Sequence, residues 1–348
     1  MDIPGATGNS SIANGDISMG EDGSSNSSNS SSSRNAELKR RELAQQSSFF
    51  LKQHSAYDMI PVSFRLIVLD TKLLVTKALS TLVQNGIESA PMWDSASSCY
   101  SGMLTTTDLV NLIQYYYANF SYTEAIEDLG QTQLENYKEL LLRFKSRQTN
   151  TLCANPLDTL YEVSRRLLAT DYSALALVDE DTDTGGDVIV SMLSIYRILN
   201  FMAVNIEDKK RLKQHSLYDL EIGTYGGLIT ATMDAPVIDI IRMFVDNNIS
   251  VVPILDDEGI VLNVFAESDI ILLAREGLLD ELDIPVSEAL ALRPDDYPGV
   301  HTCKQNDTLY SVLDIIRKTQ VQRLIVVDDD TRPVGVVALS DVLRALII

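Results

Sequence analysis

Apolar residues recur along residues 55–348 in a pattern that switches between the period of a helix and that of a strand. Near the C-terminus, Leu309, Val312, Leu313 and Ile316 follow at i, i+3, i+4 and i+7, which places them on one face of a helix. The apolar run "RLIVV" then indicates a buried strand, and "GVVALSDVLRAL" indicates a second strand that runs into a second helix. The pattern predicts a unit of helix, strand, strand and helix.

The same unit recurs at four places. Twelve residues after the last apolar residue of each first helix, an aspartate ends a strand: Asp94, Asp179, Asp256 and Asp328. In three units a second aspartate follows thirteen or fourteen residues later: Asp108, Asp269 and Asp341. The second unit has Arg197 there instead, after the insertion "EDTDTGGD". Units of this size bury their sheets poorly alone, so we expect neighbouring repeats to pair.

The repeats set the expected domain boundaries. We assign four repeats to residues 55–118, 150–206, 222–280 and 297–348. Residues 119–149 are expected to form an amphipathic linker helix, because their apolar side chains fall on one helix face. Residues 1–36 are dominated by Ser, Asn and Gly and bury too little apolar surface to offset chain entropy, which predicts a disordered tail.

Composition narrows the class of protein. The chain has 348 residues, of which 45% are hydrophobic, enough for several domains with their own cores. A net charge of −21 argues against general affinity for nucleic acid or anionic membranes. The three cysteines are far apart and form no C-x-x-C pair, which fits a reducing compartment and gives no metal motif. No apolar run is long enough to span a bilayer.

The aspartates at the second strand-to-helix junction are candidate binding groups. Each follows a hydroxyl residue: Thr107, Ser268 and Ser340. Such a pair commonly caps a helix, and this purely structural role remains open. A carboxylate also offers two acceptors that match the two hydroxyls of a ribose, and a helix N-terminus attracts anionic groups. The apolar strand residues 251–254 offer a slot for a base. The pattern therefore predicts a ribonucleotide site between paired repeats.

Motifs of catalysis are missing from the sequence. It contains no G-x-x-x-x-G-K-[ST] loop, no G-x-G-x-x-G after a strand and no G-x-S-x-G elbow. The four repeats also leave no room for a catalytic domain. We therefore expect a protein that is not itself an enzyme.

The unit resembles the cystathionine-beta-synthase (CBS) repeat. Residues 50–348 as a whole resemble the gamma regulatory subunit of AMP-activated protein kinase, particularly its fungal form in the sucrose-non-fermenting kinase complex. The resemblance rests on the order and spacing of "SFRLIVLDTKLLVTKAL", "SAPMWDS", "GMLTTTDLVNLIQYYY", "EIGTYGGL", "VSEALALRPDDYPGVHTC" and "ALSDVLRAL". It implies an α+β fold in which four tandem CBS repeats pair into two Bateman modules in a flattened disc.

The resemblance also implies a function. It implies a non-catalytic, adenine-nucleotide-binding regulatory subunit of a heterotrimeric serine/threonine kinase, with a catalytic alpha subunit and a scaffold beta subunit as partners. AMP, ADP or ATP would be the ligands, with no required cofactor, no nucleic-acid partner and no membrane insertion. The implied role is energy sensing in the glucose-starvation response, in cytoplasm and nucleus. One alternative is a scaffold subunit of the same kinase that has largely lost nucleotide sensing; another is a CBS module that regulates an unrelated partner.

The family's binding positions carry over residue by residue. They are Met103, Leu104, Thr105, Thr106, Thr107, Asp108, Thr224, Ser250, Val251, Ser268, Asp269, Arg293, Gln322, Arg323, Ala338, Leu339, Ser340 and Asp341. We expect the occupied site to use Asp269 for the ribose and Arg323 for the phosphate, because a guanidinium fork suits phosphate. Asp341 ranks second, and Arg197 holds a position that is usually not ribose-binding in the family.

Several basic positions of the family are lost here. Glu88 replaces an arginine, Ser173 and Ala174 replace a His-Arg pair, and Tyr196 replaces a lysine. In the fourth repeat Gln322 replaces the histidine that precedes the phosphate-binding arginine. Each change removes positive charge from the region of the phosphates, which argues against phosphate binding that depends on the first two repeats.

Overall fold

A computed structural model describes residues 26–119, 131–136, 152–170, 172–206, 209–278, 281–295, 297 and 299–348. Most of the predicted linker helix 119–149 lies outside these residues, as do residues 1–25 of the predicted tail. Helix α1 (Asn26–Lys52) begins inside the segment 1–36 that composition assigns to a disordered tail. Its second half buries Leu43 and Leu51 against the rest of the fold, and a packed helix extends back into polar sequence more readily than it nucleates there.

The described parts of all four repeats contain the predicted order of helix, strand, strand and helix, preceded by a short strand. The first repeat has β1 (Leu69–Asp70), α2 (Val75–Asn85), β2 (Ser89–Asp94), β3 (Cys99–Thr105) and α3 (Thr106–Asn119). The second has β4 (Cys153–Ala154), α4 (Leu160–Leu168), β5 (Ala174–Glu180), β6 (Asp187–Ser194) and α5 (Ile195–Asn205).

The third and fourth repeats follow the same plan. A short helix α6 (Lys209–Gln214) and strand β7 (Thr224–Tyr225) lead into them. The third repeat has β8 (Ala231–Thr232), α7 (Val237–Asn247), β9 (Val251–Leu255), β10 (Val261–Ala266) and α8 (Glu267–Glu276). Helix α9 (Val286–Leu290) connects it to the fourth repeat, which has β11 (Thr302–Cys303), α10 (Leu309–Thr319), β12 (Arg323–Val327), β13 (Pro333–Ala338) and α11 (Leu339–Ile347).

The sheets repeat one topology. In each, the short strand is parallel to the first long strand, which pairs antiparallel with the second long strand. Every long-strand pair carries a register shift, as at Met92/Trp93 and Val326/Val327. A bulge bends the strand locally, so its recurrence gives the four sheets a similar curvature. Strand β7 adds to the edge of the fourth sheet beside β13.

The first helix of three repeats ends in the same way. Gly86, Asn248 and Gln320 follow α2, α7 and α10 in the left-handed backbone conformation, with φ of 61°, 51° and 58°. This conformation reverses the chain at a helix C-terminus and directs it into the next strand. In these three repeats, the residue before the first long strand therefore lies at the same end of its unit.

Two large cores join the repeats in pairs through their helices. One core combines the first and third repeats, including Leu82 and Phe244, and the other combines the second and fourth, including Leu167 and Leu343. The first and second repeats meet instead through their sheets, where Tyr100 and Met103 pack near Ala176.

The third and fourth repeats also touch, which completes the arrangement. The backbone N–H of Val261 donates to the carbonyl oxygen of Thr331 at 3.4 Å. Each repeat therefore contacts two others, and the order around the resulting ring is first, second, fourth, third.

Candidate functional site

Side chains from three repeats meet where the strand-to-helix junctions approach one another. Arg323, the first residue of β12, donates to the hydroxyl of Ser250, the residue before β9. Glu88 lies before β2, and Glu267 is the first residue of α8. The hydroxyl of Thr107 in α3 donates to Glu267 Oε2 at 2.7 Å. We call these five residues the central cluster.

The central cluster places one guanidinium among carboxylates. Burial raises the pKa of Glu88 and of Glu267, and the charge of Arg323 opposes both shifts. Burial lowers the pKa of Arg323, while Glu267, Glu88 and Asp341 oppose that shift. Glu88 as a whole residue is exposed, although its carboxyl is surrounded by protein atoms, so the cluster borders solvent on the side of the first repeat. A phosphate that reached Arg323 would meet a charge already partly balanced by the protein.

The three junction aspartates all cap their helices in the same way. In each, Oδ2 accepts the backbone N–H of the residue three positions earlier: Thr105 to Asp108 at 3.0 Å, Ala266 to Asp269 at 2.7 Å and Ala338 to Asp341 at 2.9 Å. Each aspartate is the third residue of its helix and accepts the N–H of the residue before the helix, so the aspartate alone, rather than the Ser/Thr–Asp pair, plays the structural role raised from the sequence. Capping occupies one carboxylate oxygen, so the partners of the other oxygen distinguish the three sites.

Asp269 has both oxygens engaged. Arg293 Nε donates to Oδ1 and Arg293 Nη2 donates to Oδ2, each at 2.7 Å. The two side chains are only 6% and 2% exposed. In this structure Asp269 is paired with Arg293, while Arg323 donates to Ser250 of the same third repeat. The expected division of one nucleotide between Asp269 for the ribose and Arg323 for the phosphate stays a prediction.

Asp341 presents a more open carboxylate. Its side chain is half-buried, and within the described part of the chain no donor makes a hydrogen bond to Oδ1. Arg323 and Ala338 are directly paired between β12 and β13, which sets the arginine beside the start of α11. Gln322 and Ser340 are half-buried at the same place. The fourth repeat thus combines a carboxylate, a helix N-terminus and a guanidinium.

Asp108 belongs to a more enclosed junction. It is 1% exposed, and its Oδ2 also accepts the hydroxyl of Thr105 at 2.8 Å. The Thr106 hydroxyl donates to the carbonyl oxygen of Glu88 at 3.0 Å, while Met103 and Leu104 are core residues.

The remaining predicted positions lie next to these groups, take part in strand pairing or belong to a core. Val251 pairs with Ala266 between β9 and β10, and Ser268 precedes Asp269 in α8. Thr224 is exposed on β7 and pairs with Val336. Leu339 is 4% exposed and belongs to the core shared by the second and fourth repeats.

Arg197 stands where the second repeat lacks an aspartate. Its guanidinium donates to the carbonyl oxygen of Met192 at 2.6 Å and to that of Met59. The side chain therefore connects the start of α5 to the part of the first repeat that precedes β1. Tyr196, in place of the family's lysine, donates its hydroxyl to the carbonyl oxygen of Arg317 at 3.4 Å.

Sequence reasoning missed Glu267 and Tyr297. The one available signal for Glu267 was a charge at a register where the other repeats have Thr106, Ile195 and Leu339. Tyr297 carries no such signal, yet its ring centre lies 4.1 Å from the guanidinium carbon of Arg293.

Metal-ligand clusters and membrane-spanning helices are both absent among the described residues. No group of three or more His, Cys, Asp or Glu side chains among them is placed to hold a metal ion. None of the helices in the same part of the chain is both long and apolar enough to cross a bilayer.

Comparisons with known proteins agree with this architecture. A family model for the CBS domain matches residues 226–276 and 295–348, which correspond to the third and fourth repeats. A solved structure from Methanocaldococcus jannaschii, described as a proposed archaeal homologue of the AMP-activated kinase gamma subunit, superposes with a TM-score of 0.64. The match covers 84% of this chain and 99% of that one at 16% identity, and it supports the fold. The predicted α+β fold of paired CBS repeats is confirmed.

Relatives in sequence identify the family. The 5'-AMP-activated protein kinase subunit gamma of Saccharomyces cerevisiae is 42% identical over 299 residues, which cover 86% of this chain and 92% of the relative. The protein of the same name from Kluyveromyces lactis is 38% identical over 312 residues, or 89% of this chain and 94% of the relative. The chain therefore belongs to the family of gamma subunits of 5'-AMP-activated protein kinase, and is a regulatory subunit rather than an enzyme.

Proposed function

We propose that the chain is the adenine-nucleotide-binding subunit of a heterotrimeric AMP-activated, sucrose-non-fermenting type serine/threonine kinase. Its partners are a catalytic alpha subunit and a scaffold beta subunit, and it acts in energy sensing and the glucose-starvation response, in cytoplasm and nucleus. Family membership supports the kinase part of this proposal. The geometry of the fourth repeat supports the nucleotide part.

The observation that carries the proposal is the position of Asp341 beside Arg323. The two hydroxyls of a ribose require acceptors, and Oδ1 of Asp341 has no hydrogen-bond donor among the described residues. The phosphate of AMP, ADP or ATP suits the donors of Arg323 and the N-terminal turn of α11. These three elements lie at one end of one repeat, as a single nucleotide requires.

A nucleotide at this site would lie where it can affect the contact between two repeats, and through it the kinase. Arg323 of the fourth repeat contacts Ser250 of the third, so a ligand on Arg323 acts where two repeats meet. A nucleotide changes the kinase only through different affinities for two conformations. A contact between repeats is where those conformations would differ.

The scaffold alternative has its own supporting observation. Glu88 and Glu267 lie close enough to Arg323 to oppose the effect of burial on its pKa. They compete with a phosphate for the guanidinium, and Ser173 and Ala174 supply no basic group from the second repeat. A chain that keeps its assembly surfaces but binds no nucleotide would have this arrangement.

Calorimetric titration of the purified full chain with AMP, ADP and ATP distinguishes the nucleotide-binding subunit from the scaffold alternative. We expect saturable binding, weakened about 10- to 100-fold by Arg323→Met, because hydrogen bonds to charged groups contribute about 1.5–3 kcal/mol. Arg332→Met is the matched control, since Arg332 is exposed on the turn before β13. Absence of binding by any of the three nucleotides to the folded chain would favour the scaffold.

A further inference from the structure

An eight-residue segment occurs twice in the chain. The sequences "LKQHSAYD" (residues 51–58) and "LKQHSLYD" (residues 212–219) differ only at their sixth position. The first follows α1 and the second follows α6, and we call them the two docking segments. The sequence "DTLY" is also repeated, at residues 158–161 and 307–310, where α4 and α10 begin. We call these the two DTLY sites, one in the second repeat and one in the fourth.

Each docking segment binds a DTLY site through the same backbone hydrogen bonds. From donor N–H to acceptor carbonyl oxygen, the bonds are Ala56 to Asp158 and Leu160 to His54, both 2.9 Å, and Leu217 to Asp307 and Leu309 to His215, both 3.0 Å. They form two equivalent antiparallel bridges, in which Ser55 is paired with Thr159 and Ser216 with Thr308.

The side-chain contacts of the two segments also match. In each, the leading leucine is buried, and the lysine that follows lies over the tyrosine ring of the DTLY site. The distance from Nζ to the ring centre is 4.5 Å for Lys52 over Tyr161 and 4.6 Å for Lys213 over Tyr310. A cation over an aromatic face is attracted by the ring, so the contact adds to the backbone bonds at both sites. The same local sequence therefore docks in the same way at two places in the fold.

The two docking segments reach their sites by different routes. The second is followed by β7, which pairs with β13, so it lies between folded parts of the chain. The first belongs to residues 26–60, which we call the arm, and is linked to β1 through residues 61–68. That link forms neither helix nor strand, and its residues 61–65 are all exposed. Because the docking geometry is the same for both routes, it depends on the segment and the DTLY site and not on the connection that delivers the segment.

The arm packs away from the repeat to which it is linked. Leu43, Leu51 and Ala56 lie in the core shared by the second and fourth repeats. Lys39 Nζ also donates to Oδ1 of Asp219, in the second docking segment, at 2.9 Å. An arm that is linked to the first repeat by an open segment, and packs on other repeats, has the arrangement from which identical elements are exchanged between copies of a chain.

We propose that the arm is exchangeable and that its partner is a second copy of this chain. In the resulting dimer, the arm of each chain occupies the DTLY site of the second repeat in the other chain. Such a dimer keeps every contact of the arm, and its formation costs the entropy of association and a rearrangement of residues 61–68. It would link two of the heterotrimers proposed above, but it requires no nucleotide.

Disulfide trapping in the full chain tests the exchange. Ser55 and Thr159 face each other between two backbone hydrogen bonds, a position where Cα atoms of antiparallel segments lie about 4.5 Å apart and a disulfide fits. The native cysteines are first replaced (Cys99→Ser, Cys153→Ser and Cys303→Ala), and Ser55→Cys/Thr159→Cys is then oxidised at high protein concentration. We expect two products on a non-reducing gel, a monomer and a covalent dimer, both with the 55–159 disulfide in peptide maps. While dimers are the minority, tenfold dilution and re-equilibration before oxidation should lower their fraction about tenfold, by mass action.

The repeated sequence provides two matched controls. Ser216→Cys/Thr308→Cys removes the same residue types from the second docking segment and its site, and is expected to give only a monomeric 216–308 disulfide. Ser55→Cys/Thr308→Cys joins the arm to a site that the second segment covers, and is expected to give no 55–308 disulfide. A 55–159 disulfide found only within monomers at every concentration would overturn the exchange, as would equal dimer yields from the 55/159 and 216/308 pairs. Absence of any 55–159 disulfide would overturn the docking itself.

A measurement on the wild-type chain applies if the cysteine variants do not fold. Isotope-labelled and unlabelled chains are mixed at high concentration and followed by native mass spectrometry. We expect dimers of mixed mass that form slowly, because each arm must leave its site before it is exchanged. A chain that stays monomeric at every concentration, or dimers that mix at once, would contradict an exchanged arm.

Discussion

Arg293→Met is expected to lower the free energy of unfolding by about 3–5 kcal/mol, because it leaves the carboxylate of Asp269 buried without its counter-ion. Both side chains are nearly inaccessible, and the pair has two hydrogen bonds of 2.7 Å. Methionine fills much of the volume of the arginine stem, so the lost charge rather than a cavity dominates the effect. Urea denaturation followed by circular dichroism measures it.

The control for this prediction is an exposed ion pair. Arg242 and Asp239 lie 2.9 Å apart on α7, with side chains 57% and 44% exposed. Exposed pairs contribute about 0–1 kcal/mol, so Arg242→Met is expected to change stability by less than about 1 kcal/mol. Replacement of both buried partners, Arg293→Met/Asp269→Leu, should recover most of the loss, since an apolar pair leaves no uncompensated charge. Equal effects of Arg293→Met and Arg242→Met would contradict the buried pair.

Phe244→Ala is expected to cost about 3–5 kcal/mol of stability, the usual effect of truncating a fully buried aromatic side chain. Phe244 on α7 is 1% exposed, and its ring centre lies 6.3 Å from that of Phe265 on β10. It belongs to the core that joins the first and third repeats. Its loss therefore weakens a contact between repeats as well as one within the third repeat.

The matched control is Phe49→Ala on α1. Phe49 is 65% exposed and also lies in a helix, so the two variants share the change in helix propensity and differ in burial. Chemical denaturation is expected to show a change within about 0.5 kcal/mol for Phe49→Ala. A loss at Phe244 no larger than this would mean that the two repeats do not share a packed core.

The repeat architecture could be predicted because each helix and strand has its own pattern of apolar residues in the sequence. The spacing of Val237, Ile240, Ile241 and Phe244 determines one buried helix face, and all four residues are buried. The spacing cannot show which repeats face each other, because every helix presents a similar apolar stripe. Only the packed structure combines the first with the third repeat and the second with the fourth.

The positions of the candidate site residues could be predicted from the sequence better than the contacts between them. The junction aspartates and Arg323 stand where the repeat register placed them, since strand ends and helix starts are set by local pattern. The partner of Asp269 comes from a connecting segment that has no counterpart in the repeat register. Its choice depends on how α9 docks, which is a tertiary property.

Helix α1 is a second element whose formation depends on tertiary contacts that the sequence pattern does not show. Residues 26–36 contain serine, asparagine and little that is apolar, and composition alone favours disorder there. The helix forms because Leu43, Ala44 and Leu51 pack on the fold further along, a contact between positions far apart in sequence. Composition cannot represent such a contact.

Native mass spectrometry of the complex purified through this chain, with and without added AMP, tests the central claim most directly. The account predicts one copy each of this chain, a serine/threonine kinase catalytic subunit and a scaffold subunit, with AMP retained by the complex and lost in the Asp341→Asn variant. A complex that lacks a kinase subunit would contradict the assignment, and AMP retained equally by Asp341→Asn would contradict the site.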